Sequence, residues 1–407
     1  MGWQKITHLM PVLEDIHQKI LHQATFLQSK WISYRREFHQ IAELSWHEEN
    51  TISLILNYLS KIEKKLKKPF KITEFKGGLS VDWEFDPDYN WVLFRSDIDA
   101  LPILEKTDLP FSSFNPGVMH ACGHDFHIAM MLGAIEIIES SEIKPLINIR
   151  FVFQRAEETG TLNCGGHVLV QEGILNNIKS AYALHISGNL EKGVFFSRPG
   201  TFLANTTTID FSVECSGGHV MHPHEGSNAI DILADILASL KGIEIRILNP
   251  LSQITIVPTK IQSGIASNIR PNVGSLSLAL RNFLSPAELD FLIEGIRKKI
   301  ISIVESYPTA KVVNFDVKMG YPPLINHLDS YEESKRAIEN QFQVKKATPI
   351  FAGEDFAYYL EQKPGAYWIL GAKNGSGHDH HTADFNPDES VLSLGVAFWL
   401  QLAYSLS

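Results

Sequence analysis

Ile147–Glu158, INIRFVFQRAEE, alternates Ile147, Ile149, Phe151 and Phe153 as a strand does, then ends at Gln154 before an acid pair, Glu157 and Glu158. The same layout recurs elsewhere. Trp91–Phe94 is a short apolar strand followed at once by Asp97 and Asp99, and Ala181–Leu184 is another that ends at His185. Ala366–Leu370 is a last one, followed by a polar loop that holds His378, His380 and His381. Between the first two, Ile128, Met131, Leu132, Ile135 and Ile138 mark one face of a helix that begins near Asp125. Alternating strands and helices predict an α/β fold, a mostly parallel sheet flanked by helices. Polar groups after the carboxyl ends of several strands predict a ligand site there. The first eighty residues read as helices, with Ile52, Ile55, Leu56 and Leu59 at helical spacing.

The rhythm changes between about Leu203 and Phe315. Thr207, Ile209, Phe211 and Val213 alternate as a strand, and Ile230, Leu233, Leu237 and Leu240 mark a helix. Strands follow at Ile254–Ile261 and Val273–Phe283, then a long helix from Pro286 to about Ser306 and a strand near Val312–Val317. The order β-α-β-β-α-β is that of a ferredoxin-like split motif. Sheet material of the first kind resumes afterwards, so residues 203–316 are predicted to be an inserted α+β lid. Residues 1–202 and 317–407 then form the larger domain.

With 407 residues the chain exceeds the usual size of a single core, which also points to two domains. Hydrophobic residues at 44% and charged residues at 20% describe an ordinary globular protein. A net charge of −10 argues against nucleic-acid binding, which needs clustered positive charge. The basic run Lys61–Lys68 reads as the solvated face of an early helix. Three scattered cysteines, Cys122, Cys164 and Cys215, make no disulfide framework and suit a reducing compartment. The N-terminus has no uninterrupted apolar signal region, and no stretch of about 18 apolar residues could cross a bilayer. A cytoplasmic location, without membrane or nucleic-acid partners, is the expectation.

Met119–His127, MHACGHDFH, carries the chemistry. Cys122 and His124 stand at the predicted start of a helix, where the helix dipole favours a thiolate. A plain buried cysteine is the competing reading of Cys122, but His120, His124 and His127 beside it and the acid pair elsewhere weigh against it. Cysteine, histidine and carboxylate are ligand types for zinc and similar divalent metals. Adjacent glutamates leaving a strand point in different directions, so one can ligate while the other handles a proton. His185 would alone read as a core histidine. Spacing leaves open which of His378, His380 and His381 would ligate. In the inserted segment, SGGHVMHPH presents His219, His222 and His224 after a strand, and no acid or cysteine pattern marks them as metal ligands. His219 could stabilise an oxyanion instead.

These residues resemble the hippurate hydrolase and amino-acid-conjugate amidohydrolase branch of the aminoacylase/carboxypeptidase superfamily. The resemblance runs from about Trp31 to the C-terminus. It is carried by RREFHQIAELSWHEENT, SDIDALPILE, MHACGHDFHIAMMLGA, FQRAEETG, ALHIS, SGGHVMHPH, SNIRPNVGSL, YPPLIN, FAGEDF and HHTADF. It implies a di-metal amidohydrolase, with zinc or manganese as the ions, and an inserted lid that forms a homodimer contact. Cys122, His124, Glu158, His185 and His381 resemble the family's metal ligands, and Glu157 its general base. His219 resembles a lid histidine that in the wider superfamily reaches a partner subunit's active site, and Asn268 a lid asparagine near the substrate.

Ala42 and Ala383 depart from the family pattern, which usually has proline there, and Arg155 replaces the proline before AEE. Arg155 is therefore a candidate to alter specificity. The implied reaction is hydrolysis of the amide bond of an N-acyl amino acid or peptide-like small molecule. A metallo-dipeptidase or aminopeptidase is the related alternative, and a catalytically silent binding protein of the same fold the more distant one. No base or ligand is missing, which weighs against the silent protein.

Overall fold

The computed structural model describes residues 18–66 and 69–406. Its larger sheet has eight strands, in the spatial order Lys71–Phe75, Gly78–Trp83, Asn148–Gln154, Trp91–Asp97, Ile178–Ser187, Gly365–Gly371, Phe195–Ser197 and Val344–Lys346. The four central strands, from Asn148–Gln154 to Gly365–Gly371, are mutually parallel. Antiparallel pairs lie toward the edges, as with Lys71–Phe75 against Gly78–Trp83. Parallel strands covered on both faces read as nearly continuous apolar runs, and every residue of Gly365–Gly371 is buried.

One sequence expectation needs correction here. Residues 71–83 are a hairpin and not part of an N-terminal helical region. Lys76–Gly77 makes the turn, and Leu79, Val81 and Trp83 then alternate into the core. The helix His124–Ser140 forms where its periodicity places it, and burial extends beyond the named face, since every residue from His124 to Ile138 is buried. It lies against the sheet and is covered outside by the helices Gln28–Gln40 and Leu392–Ser405, and a helix that is apolar all round belongs in such a place. Of the basic run, Lys61 lies exposed in the last turn of the helix Glu49–Glu63, while Lys67 and Lys68 lie outside the described residues.

A second sheet begins at Asn205. Its order is Ile254–Ser263, Val273–Asn282, Asn205–Glu214, Lys311–Met319, every neighbour antiparallel. The helices Ala229–Leu240 and Pro286–Glu305 pack on it around a separate apolar core that includes Phe211, Leu278 and Leu292. The long helix starts with a capping box, in which Ser285 and Glu288 each accept from the other's backbone, and with proline in its first turn. The chain crosses between the two units at Ala204 and again at Gly320–Pro323. Those crossings lie side by side, as the Thr206 amide donates to the Tyr321 carbonyl at 3.0 Å and the Gly320 amide to the Thr206 carbonyl at 2.8 Å. Among the described residues, no helix is long and apolar enough to cross a membrane.

Candidate metal centre

A cleft of about 1210 Å³ opens between the two units. Its floor is built at the carboxyl ends of the central parallel strands, and its other wall comes from the second sheet, with Thr206, Asp210, Arg281 and Lys318.

The helix N-terminus comes first. Gly123, with φ of 90°, turns the chain into the helix, and a side chain there would strike Ile186, with only 2.5 Å available. His124 follows at once. Its Nδ1 lies 2.9 Å from the Asp99 carbonyl and 3.2 Å from Asp99 Oδ1, which leaves Nε2 as the free ring nitrogen. That nitrogen is buried and has no hydrogen-bond partner, with Asp97 Oδ2 at 3.7 Å. His185, at the end of its strand, is oriented the same way: Nδ1 lies 2.6 Å from the Ile186 carbonyl and Nε2 3.5 Å from Cys122 Sγ. A histidine whose other nitrogen is anchored to a carbonyl or carboxylate is the usual form of a metal ligand. His127 differs. Its Nδ1 is 2.5 Å from Asp97 Oδ1 and its Nε2 accepts from the Ile186 amide at 3.0 Å, so both nitrogens are committed to holding the scaffold.

The acid pair follows Ala156, whose left-handed backbone (φ 54°, ψ 45°) starts a short 3-10 turn over Glu157–Thr159. Three acceptors hold this turn. Glu48 Oε1 accepts from the Ala156 amide at 2.8 Å, Asp99 Oδ2 from the Glu158 amide at 2.9 Å, and the Tyr321 hydroxyl from the Gly160 amide at 2.7 Å. Glu158 Oε1 then faces His381 Nε2 at 3.3 Å and His124 Nε2 at 3.9 Å. Glu157 goes the other way, into a buried group with Glu354 and Asp355. His381 itself has φ of 62° and donates its amide to the Ala121 carbonyl at 2.9 Å, an uncommon backbone state for a non-glycine residue and one frequent at functional sites.

Electrostatics sharpen the picture. Burial pushes the Cys122 thiol far up, and the carboxylates of Glu158, Glu157 and Asp97 add to it. Burial likewise pushes Glu157 far up, with Glu354, Glu158 and Asp355 adding and Arg95 opposing. Burial would lower His124, but Asp97, Asp99 and Glu158 outweigh it and raise the residue to about 10. His185 is pushed well down, first by burial and then by His127. Protein groups alone thus leave a thiol, carboxylates and imidazoles at odds. Glu158 Oε1 and His124 Nε2 are both buried without a hydrogen-bond partner, and a divalent cation would satisfy both. Cys122, His124, Glu158, His185 and His381 fit such a group in donor type as well.

The structure therefore brings together these five residues and Glu157. It adds His380, whose Nδ1 is 3.7 Å from Cys122 Sγ. His378 stays outside, 3.4 Å from Asp384. His120 is buried nearby, pushed down to about 3 by burial, with neither ring nitrogen bonded. His219 and Asn268 are neighbours, since His219 pairs with Ile269 and the Val220 amide meets the Asn268 carbonyl. Both are exposed and neither lines the cleft of its own chain. They stand past Glu214, whereas Thr206, near the opposite end of that strand, lines the cleft. Arg155 also turns away, toward Glu49 at 3.4 Å and Glu48 at 4.0 Å, so it does not meet a ligand in the cleft.

Sequence reading gave no role to Arg95, Glu354 or Asp355. Arg95 is buried and joins Asp97 (2.5 Å), Glu354 (2.9 Å) and Asp355 (2.7 Å), linking the floor of the site to the acids beside Glu157. An arginine inside the apolar strand WVLFRSD was the available signal, because a buried charge needs partners.

Comparison with known proteins places this geometry. Residues 93–405 match the family described as peptidase family M20/M25/M40. The thermostable carboxypeptidase 1 of Saccharolobus solfataricus is 32% identical, over 97% of this chain and 99% of its own. The N-acetyl-L-cysteine deacetylase of Bacillus subtilis is also 32% identical, over 93% of this chain and 89% of its own. The crystal structure of a dinuclear metal-binding M20 peptidase from Bacillus subtilis superposes with a TM-score of 0.78 at 25% identity, covering 93% of this chain and 97% of that one.

Proposed function

The chain belongs to peptidase family M20/M25/M40 and is a metallo-amidohydrolase, and we propose that it hydrolyses the amide bond of N-acyl amino acids with Glu157 as general base. One observation carries this reading: the left-handed Ala156 sends Glu158 toward His124 and His381 while Glu157 stays free of them at the cleft. Two deacetylating relatives act on N-acetylated amino acids by their names, N-acetylcysteine and N-acetyldiaminopimelate, and that class of substrate suits the cleft.

Two divalent cations, zinc or manganese, held by Cys122, His124, Glu158, His185 and His381, would supply Lewis-acid charge and a more acidic water. Glu157 takes the proton of the attacking water and returns it to the leaving nitrogen. Arg281 lines the cleft, half-buried, with no carboxylate paired to it among the described residues. It would bind the carboxylate of the amino acid, a bidentate fit for a guanidinium. Glu105, also from the resembling motifs, lies behind the site and binds His39.

We read residues 1–202 and 317–407 as the catalytic domain and 203–316 as the lid. His219 and Asn268 would then serve a second copy of the chain in a homodimer, with His219 at the oxyanion. The test is a panel of N-acyl amino acids and unblocked dipeptides on metal-reconstituted protein. Turnover of the acylated compounds is expected to dominate. Faster turnover of dipeptides with a free amine would overturn the reading in favour of a dipeptidase.

A further inference from the structure

Tyr321 opens the YPPLIN segment, at the point where the chain returns from the second sheet. It is buried, at 4% exposure, and its backbone is locked to the outgoing crossing: its amide donates to Thr206 Oγ1 at 2.8 Å and its carbonyl accepts from Asn205 Nδ2 at 3.2 Å. The side chain reaches the other way. Its hydroxyl donates to the Glu157 carbonyl and accepts from the Gly160 amide at 2.7 Å. Both bonds lie on the turn that carries Glu157 and Glu158, so the hydroxyl is spent on that turn. Gly320 packs against the same turn. A side-chain carbon at Gly320 would sit 2.1 Å from Thr206 Oγ1 and 3.0 Å from the Gly160 carbonyl, so the crossing and the turn already touch.

We propose that Tyr321 is a positioning residue that ties the aim of Glu157 to the seating of the second sheet. This rests on Glu157 being the base. If the second sheet shifts, the crossing at Thr206 and Tyr321 shifts with it, and the hydroxyl carries the turn along. An error of about 1 Å in the position of a catalytic group is enough to cost on the order of a hundredfold in rate. Neighbouring Tyr358 supplies a control. Its hydroxyl donates to the Gly320 carbonyl at 3.2 Å and its ring lies 6.5 Å from that of Tyr321, but it makes no bond to the turn.

The experiment compares Tyr321→Phe, Tyr358→Phe and Glu157→Gln in metal-reconstituted full-length protein. Tyr321→Phe is expected to lower kcat about ten- to a hundredfold, with KM within about threefold of wild type and metal content and melting temperature matching those of Tyr358→Phe. Tyr358→Phe should keep kcat within about twofold. Equal kcat in the two phenylalanine variants would overturn the proposal. So would a rise in KM at unchanged kcat, which would make the hydroxyl a substrate contact. Amide exchange in the wild type gives a measurement that needs no variant: Gly160 should be protected relative to the exposed Leu162, and equal exchange at both would refute the bond on which the proposal depends. Activity in Glu157→Gln would remove the base assignment itself. An inactive Glu157→Gln beside a wild-type Tyr321→Phe would remove only the role of Tyr321.

Discussion

Glu158 Oε1 stands 3.3 Å from His381 Nε2, while its neighbour Glu157 joins Glu354 and Asp355 on the other side of the turn. Adjacent carboxylates thus face different neighbours on the short turn that Ala156 starts. Glu157→Gln should abolish turnover and leave bound metal nearly intact, since the amide isostere removes the proton acceptor alone. Glu158→Gln should lose metal as well. Metal analysis beside turnover decides it, and equal metal loss in both variants would refute the division of labour.

The histidine loop allows a graded prediction. His381→Ala and Cys122→Ser should each lower metal occupancy together with rate, because each removes a donor from the centre. His378→Ala should behave as wild type, its side chain being turned toward Asp384. His380→Ala should fall between them, since its Nδ1 faces Cys122 Sγ at 3.7 Å. Metal stoichiometry measured on the four proteins side by side orders them. Full occupancy in His381→Ala with loss in His380→Ala would move the ligand by one position.

Much of this arrangement is legible in the sequence because it depends on local pattern. Alternation in INIRFVF and the apolar run before His185 locate strand ends, and a parallel sheet gathers those ends in one place. The hairpin at residues 71–83 escaped because its outer strand, KITEF, is only five residues long and nowhere fully buried, so it leaves no apolar run. Burial of the helix His124–Ser140 on all sides depends on two remote helices that cover it, one from each end of the chain. The same limit hides Arg95, whose partners Glu354 and Asp355 come from a distant segment. It also made Arg155 look like a specificity residue, since proximity along the chain says nothing of the side chain's direction.

Arg281 and Arg155 can be separated by kinetics. Arg281→Ala should raise KM for an acyl amino acid about ten- to a hundredfold, the worth of a charge-assisted hydrogen bond of ~1.5–3 kcal/mol. The effect should vanish for a substrate whose carboxylate is amidated. Arg155→Ala should leave the rank order of substrates unchanged, because its guanidinium faces Glu48 and Glu49 outside the cleft. A changed rank order in Arg155→Ala would show that the loop's aim, and not contact, sets specificity.

Acid stability should depend on Glu105. Burial raises its carboxyl, but hydrogen bonds from His39, Thr107 and the Ser113 amide outweigh it and hold the group at about 2 against a usual 4.5. A depressed carboxylate contributes stability that is fully present above its unfolded value and lost as pH falls through the folded one. The window is therefore pH 4.5 down to about 2. Glu105→Gln should be less stable than wild type near neutral pH, and the gap should narrow across that window. Denaturant melts at several pH values measure it. A gap that stays constant would show that Glu105 acts through shape and not through charge.

His219 poses the sharpest question about assembly. It is exposed, pairs with Ile269 beside Asn268, and does not line the cleft of its own chain. The donors gathered around Cys122 and Glu158 include no atom from it, so a role at the oxyanion requires a second copy of the chain. Loss of one such donor costs about a hundred- to a thousandfold in rate. His219→Ala should lose rate on that scale while keeping metal and fold. If a site is completed across subunits, each inactive variant still carries what the other lacks. A mixed dimer of His219→Ala and Glu157→Gln contains one cleft with an intact Glu157 facing an intact His219, and one with neither. Mixing the two proteins and allowing exchange should therefore restore activity, up to about half of the wild-type rate per mixed dimer, because one of its two clefts is complete. No recovery, with exchange confirmed independently, would exclude a shared site, and a wild-type rate in His219→Ala would take the residue out of the mechanism.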